Sequence, residues 1–463
     1  MENCRQLEFR LGTFGKIFPL LTAIALIIWA AINQSNVTGY MVAFFVAIIV
    51  GVIFAKDENA YGQAILAGLS KPMFPIISMA IILAAISGKL ISNSGMIQTI
   101  AIYVVKAGFT GQLFTSATFL LTCLLAFSTG TSVGTYFVVI PILFPVGVMV
   151  GVDPVFMIGA IVSGAAFGDN LAPISDTTIA SASTQGADLG NVVRTRIKYS
   201  IPAAVLALIA FLLFTRTTTT GANLEGSAAT ANLPSLIMLL VPATIIVLCL
   251  LRKHLITALA YGAIVGIVLG LISGLHPLNS LLAFPGGFSV TGTIPDAITG
   301  SMGTIAMLFG VFSLLGIMEA SGLFASLGKA IGSLAKGPRS GEITIIGIVG
   351  IMSMITGVIS VAIVAMGDLV QEVGARVGLD KYRRANLMDC AGCVFCFLAP
   401  WTVHCVIPAQ QTAAFGEEFT VVPASVPFVN FYAIAMIIVL TVSVITGYGR
   451  KNKIDDRHIK KPG

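Results

Sequence analysis

The sequence predicts an all-α, polytopic membrane protein built as two inverted repeats, each holding a re-entrant hairpin and a broken transmembrane helix. Three observations predict it. The 463 residues are 56% hydrophobic and only 10% charged, with a mean hydropathy of +0.97, whereas a soluble chain carries roughly a quarter charged residues. Apolar runs of about 18 residues or more, long enough to cross a bilayer, recur along the chain. Short signatures also repeat at one spacing of 227 residues.

The first apolar run, Ile17–Ile32, lacks a small-residue cleavage site and leads into another run, so it reads as a retained span. Gly39–Ala55, Pro72–Ile91, Pro154–Ala180 and Val192–Thr215 follow. The second set is Leu233–Leu251, Leu255–Gly274, Ser301–Glu319, Ala385–Gln410 and Val426–Gly447. Two further segments are interrupted midway: Gln112–Val150 at "STGTSVGT" and Glu342–Glu372 at "ITGVIS". Each arm reads as about 12–16 residues, short of a crossing. Paired short arms suit re-entrant hairpins at 112–150 and 342–374, whose irregular tips are tolerated inside protein or beside a wet cavity. Broken helices are expected at 154–183 and 384–412. The division is then a first repeat at 1–216, an extracellular linker at 217–232, a second repeat at 233–449 and a basic cytoplasmic tail at 450–463.

"LAP" at Leu171–Pro173 returns at Leu398–Pro400, Thr129–Gly130 at Thr356–Gly357, and Ser94–Gly95 at Ser321–Gly322. Asp153 and Asp380, opening the broken spans, share the same spacing. With five crossings per half and hairpins returning to their own side, both termini share one face. Placing that face in the cytoplasm puts all but Lys89, Lys106 and Arg216 of the 26 Lys and Arg residues inside, as the positive-inside rule requires. The clusters Arg194/Arg196/Lys198 and Lys381/Arg383/Arg384 belong to that inner set. The net charge of +6 is therefore topological and implies no nucleic-acid partner. An odd number of crossings inverts the second half. Inverted repeats with paired broken helices are the architecture of secondary transporters in a plasma or inner membrane.

Chemistry concentrates at "GDNLAPISDTT", Gly168–Thr178. Pro173 lacks a backbone donor and interrupts the helix, freeing carbonyls to meet a small cation. Asp169 and Asp176 add charge inside an apolar stretch, where acids default to ion or proton pathways. Ser175, Thr177 and Thr178 add neutral oxygens, and Asn170 stands beside them. The hairpin tip contributes Thr131, Ser132 and Thr135. Oxygen-only ligands suit a hard cation, and Asp176, Ser175, Thr131 and Ser132 are the expected Na+ ligands. In the second half the break recurs without the charges, since Val403 stands at the counterpart of Asp176. Thr129, Thr356, Asp389, Trp401, Thr402 and His404 are the expected lining of a substrate pocket. No arginine lies in the broken segments, so a carboxylate cargo would rest on helix N-termini. The run Cys390/Cys393/Cys396, within seven cysteines, reads as small apolar side chains on one helix, because a closed metal site needs four ligands. No P-loop, G-x-S-x-G or H-E-x-x-H occurs. The chain reads as no enzyme, needs no cofactor, and must couple to an ion gradient.

The residues "FSTGTSVGT" (Phe127–Thr135) and "GDNLAPISDTT", with "ITG", "RANLMDCAG" and "APW" in the second half, resemble the NhaC-type Na+/H+ antiporter family of the ion-transporter superfamily. The resemblance spans nearly the whole chain. It implies Na+ and H+ exchange through Thr131, Ser132, Thr135, Asp169, Ser175, Asp176 and Thr177, within a lipid bilayer and as a homodimer. Ala172 and Val358 depart from the family pattern by removing polar atoms from that site. The alternative is a Na+-coupled transporter or exchanger of a small organic solute, an amino acid or carboxylate, which Phe395, Phe397 and Trp401 favour.

Overall fold

In a bilayer every backbone N–H and C=O must be satisfied within the protein, so apolar runs fold as helices. The structure, a computed structural model, describes residues 7–218, 231–416 and 419–450. Most of the expected linker, from 219 to 230, and the tail beyond Arg450 lie outside the described residues.

The first half comprises α1 (Thr13–Ile32), α2 (Val37–Phe54), α3 (Glu58–Leu69), α4 (Met73–Asn93) and α5 (Met96–Lys106). It continues with α6 (Gly111–Thr129), α7 (Ser132–Met149), α8 (Pro154–Leu171), α9 (Asp176–Thr184) and α10 (Leu189–Phe214). The second half has α11 (Leu240–Leu250, preceded by a 3-10 stretch from Leu233), α12 (Leu255–Ile272), α13 (Thr293–Ala320) and α14 (Leu323–Gly332). Then come α15 (Pro338–Thr356), α16 (Ile359–Arg376), α17 (Lys381–Leu398), α18 (Val403–Thr412) and α19 (Phe431–Thr446). Among the described residues, 11 helices are long and apolar enough to cross a membrane, or up to 13 if each bent pair is one span. The protein is an all-α polytopic membrane protein. A two-stranded hairpin, Ala283–Gly286 with Ser289–Thr291, is the only sheet among the described residues.

From α5 to α9, the helix starts recur 227 positions later in α14 to α18. The joints recur too. Gly130 and Gly357 both take a left-handed φ of 67° at the tight turns between α6 and α7 and between α15 and α16, a conformation that favours glycine. Asp153 caps the N-terminus of α8 by accepting from the Val155 amide, and Asp380 caps α17 by accepting from that of Arg383. The arms of both hairpins are longer than the sequence suggested, 19 and 18 residues in each pair. The added length lies at the tip, where Ser128 continues α6 and Thr135 belongs to α7, because their hydroxyls bond back to the Leu124 and Thr131 carbonyls. The short helices α3, α5 and α14 fall below span length, so hydropathy alone does not reveal them.

The centre holds α7, α8, α17 and α18, sheathed by the other helices. Small residues set the approach of α8 to α6. A Cβ on Gly164 would meet the Phe119 carbonyl oxygen at 2.8 Å, and one on Gly168 would meet Ala126 Cβ at 2.2 Å. This G-x-x-x-G spacing lets two backbones touch, as in membrane helix pairs generally. It sets Asp169 one residue beyond the contact.

Two of the charge clusters that the topology argument used are partly internal. Arg383 is fully buried and donates to Glu342 at 2.9 Å, to Tyr199 and to Ser443. Arg384 donates to Gln185 and to the Leu379 carbonyl. Arg196 is likewise fully buried. An arginine whose head is paired inside the protein contributes to packing as well as to sidedness.

The α6–α8 contact generates a stability prediction. Gly168→Ala should lower thermal stability by about 1–3 kcal/mol through overpacking, while Gly62→Ala, where a Cβ meets nothing within 4 Å, should not. Unfolding of the purified variants in one detergent, followed by intrinsic fluorescence, measures the difference.

Candidate ion-binding site

Both hairpin turns rest on the break of their own half. A Cβ on Gly130 would lie 2.5 Å from the Ile174 side chain, and one on Gly357 would lie 4.0 Å from Thr402 Cα. Across the halves, α7 packs against α18 and α16 against α9. As a result the N-termini of α7, α9, α16 and α18 converge on one small pocket. Its walls include Thr131, Ser132, Asp169, Asp176, Thr177, Val358, Ile359, Ser360, Val403 and His404, with Met73 and Ile77 of α4 as its floor.

Asp169 is the buried centre of this pocket. Its Oδ2 accepts from Ser132 at 2.8 Å and its Oδ1 from Ser175 at 2.7 Å. Ser175 and Thr177 hydroxyls lie 2.9 Å apart, and Thr177 donates to the Asp169 carbonyl at 3.2 Å. Ser132 Oγ also lies 3.4 Å from His404 Nδ1, and the His404 ring stacks on Phe397 at 4.1 Å between centroids. Asp176 opens α9, is exposed at the pocket, and makes no hydrogen bond among the described residues. Thr131 caps α7 by accepting from the Gly134 amide, while Thr135 lies one turn on, bonded to the Thr131 carbonyl and 3.2 Å from Thr129. The pocket is therefore polar on the wall from the first half. On the wall from the second half, Val358, Ile359 and Val403 occupy the counterpart positions of Thr131, Ser132 and Asp176.

Other residues expected at the site lie elsewhere. Asn170 and Asp389 belong to a second buried network. Asp389 pairs with the Arg196 guanidinium and accepts from Thr178 at 3.2 Å, Ser181 at 3.3 Å and Asn170 Nδ2 at 3.4 Å. Arg196 also donates to the Asn170 carbonyl at 2.7 Å, to Thr178 at 2.8 Å and to Asn386 at 3.2 Å. Asn170 Oδ1 accepts from Ser200 and Tyr432. The carbonyl freed at the first break is thus taken by an arginine from α10. In the second break Thr402 closes on the Cys396 and Ala399 carbonyls, and the helix pair bends by 42°. Thr356 bonds the Val358 carbonyl at its turn, and the Trp401 indole donates to the Met354 carbonyl at 2.7 Å. His404 alone of the six expected pocket residues lines the Asp169 pocket.

Sequence reasoning missed Arg196. The signal was present, since Arg196 falls in the run Val192–Thr215 and Asp389 in Ala385–Gln410, and intramembrane charges seek partners. Reading Arg196 as a loop charge hid the pair. Removing one member of a buried pair strands the other, at a cost of about 3–5 kcal/mol. Arg196→Met and Asp389→Leu should each sharply reduce the yield of monodisperse protein, and the double variant should recover part of it. Gel filtration of the three variants, expressed in parallel, checks this.

A sequence profile described as the Na+/H+ antiporter family matches residues 9–216 and again 216–445. The Na+/H+ antiporter NhaC of Alkalihalophilus pseudofirmus is 24% identical over 384 residues, covering 78% of this chain and 81% of the relative. The NhaC of Bacillus subtilis is 24% identical, covering 86% and 89%. The malate-2H+/Na+-lactate antiporter of Bacillus subtilis is 25% identical, covering 78% and 80%. A profile that matches both halves, from residue 9 to residue 445, places this chain in the Na+/H+ antiporter family.

Proposed function

We propose that this chain is a secondary active transporter that exchanges Na+ for H+ at the Asp169–Asp176 pocket, with these ions as its coupling partners and no cofactor. The observation that carries the reading is Asp169, a buried carboxylate held by two hydroxyls where four helix N-termini meet. Hydroxyl ligands support a carboxylate without neutralising it. Asp176 supplies a second carboxylate at the accessible side of the same pocket. A helix N-terminus carries roughly half a positive charge, so the four termini together roughly offset two ionised carboxylates. One Na+ or one proton then adds the same single charge, and occupancy by either opposes the other. That competition is exchange. Asp176 is assigned the main Na+ charge, with Ser175, Thr131 and Ser132 as neutral ligands, and Asp169 supports it or takes the proton.

A specific observation favours a second reading, an organic carboxylate carried with the ions. The N-termini of α9, α16 and α18 carry no side-chain cap, which leaves amide donors turned toward the pocket, and such ends bind anions. Proteoliposome flux separates the two. A Na+ gradient that drives ΔpH without added solute supports exchange of the ions alone. Uptake of labelled malate or lactate under a Na+ gradient, with no ΔpH in its absence, supports the second.

The inverted arrangement and cytoplasmic termini follow from the charge distribution and the matched breaks. Single cysteines at Ser280 and Gly337 should label from outside and from inside, respectively. Labelling of both from one face overturns the arrangement.

Asp176→Asn should abolish Na+-driven ΔpH while the protein stays folded, and Asp169→Asn should shift its pH profile. Ser132→Ala, removing one neutral ligand, should weaken Na+ affinity by about 3–10-fold. Purified Asp176→Asn that binds Na+ with wild-type affinity rejects the assignment.

A further inference from the structure

A second cavity lies at the far end of α4 from the ion pocket, walled by α4, α13, the end of α18 and Phe415, with Pro141 of α7. Its accessible volume is about 180 Å³, below the roughly 300–1,000 Å³ of sites for drug-sized ligands, which limits an occupant to a molecule of a few heavy atoms. One face of α4 serves both cavities. Met73 and Ile77 line the ion pocket, while Ile81, Ala84 and Gly88 line this one, and steps of three and four residues keep them on one side of a helix.

Lys89, half-buried, and Asp296, exposed at the mouth, both line the cavity, and neither side chain makes an ion pair or hydrogen bond among the described residues. Nε2 of Gln411 is buried with no partner. Gln410 Nε2 reaches the Gly300 carbonyl only at 3.3 Å. A buried donor without a partner is rare in a folded protein and calls for an explanation. Three buried hydroxyls near residues of this cavity also lack a partner. Ser87 adjoins Gly88, Thr304 lies one turn beyond Gly300 and Ser301, and Tyr136 falls between Val133 and Pro141 on α7.

We propose that this cavity is a binding site for a small zwitterion, a free α-amino acid. Its carboxylate meets the Lys89 ammonium and Gln411 Nε2, its ammonium meets Asp296, and its side chain lies against Ile81, Ala84 and Phe415. A simple anion would face the Asp296 carboxylate, and a simple cation would face Lys89. Only a ligand that carries both charges satisfies both walls. Charge-assisted hydrogen bonds are the strong contacts in such a site.

The test is direct binding to the purified full chain by calorimetry, with glycine, L-alanine and L-serine as probes and acetate and methylamine as single-charge controls. At least one amino acid should bind, with acetate and methylamine weaker by about tenfold or more. Lys89→Gln and Asp296→Asn should each weaken the amino acid by about tenfold, and the exchange Lys89→Asp with Asp296→Lys should recover binding, which a merely misfolded protein would not. Asp176→Asn should bind the amino acid as wild type does, so failure of the ion-site assignment and failure of this proposal are distinguishable. No binding of any amino acid to wild type overturns the proposal. So does acetate binding as tightly as glycine, or binding unchanged in both single variants.

Discussion

The ion pocket depends on the guanidinium of Arg196. A helix broken in the membrane leaves its last carbonyls and its next first turn without partners, and each would be costly in hydrocarbon. Arg196 takes the carbonyl of Asn170 on α8 and ties it to α9 through the Thr178 hydroxyl, while the first amides of α9 stay uncapped. Asp389 on α17 balances its charge. The gap between Asp169 and Asp176 is thus held open by an arginine that never enters the pocket. A pair of this kind contributes little net stability but much geometric definition, because either charge alone would be stranded.

With the break fixed, the halves divide the work. In the first half, the turn at Gly130 and the break at Pro173 bring Ser132, Asp169, Ser175 and Thr177 into hydrogen-bonding distance. In the second half the same backbone features present Val358, Ile359 and Val403, and the polar groups there are Ser360 and His404. Repetition of the backbone without repetition of the charges leaves the pocket with carboxylates from the first half alone.

The sequence made much of this legible. Pro173 and the two aspartates marked the first break, and glycines 227 residues apart marked the two turns, because left-handed backbone and missing amides leave local signatures. Long-range pairing left none. Asn170 stands beside Asp169, yet adjacent residues on a helix point to different faces, and Asn170 turns away to Asp389, Ser200 and Tyr432. Trp401 and Thr402 looked like pocket residues because they sit at a break. In the structure Thr402 satisfies carbonyls that the break itself exposes, and Trp401 one in the last turn of α15. The arms of the first hairpin were underestimated because its hydroxyl residues read as an interruption, whereas Ser128 and Thr135 bond back to carbonyls one turn before them and continue the elements.

The carboxylate of Glu342 is fully buried at the start of α15. Arg383 holds one of its oxygens, while Arg450, the last described residue, donates to the other at 2.8 Å and also bonds the Val444 carbonyl. The end of α19 is therefore stitched to the base of the second hairpin through a buried carboxylate. A purification tag or a shortened chain that replaces Arg450 would strip a buried anion of one of its two counterions. Any engineered terminus belongs beyond it.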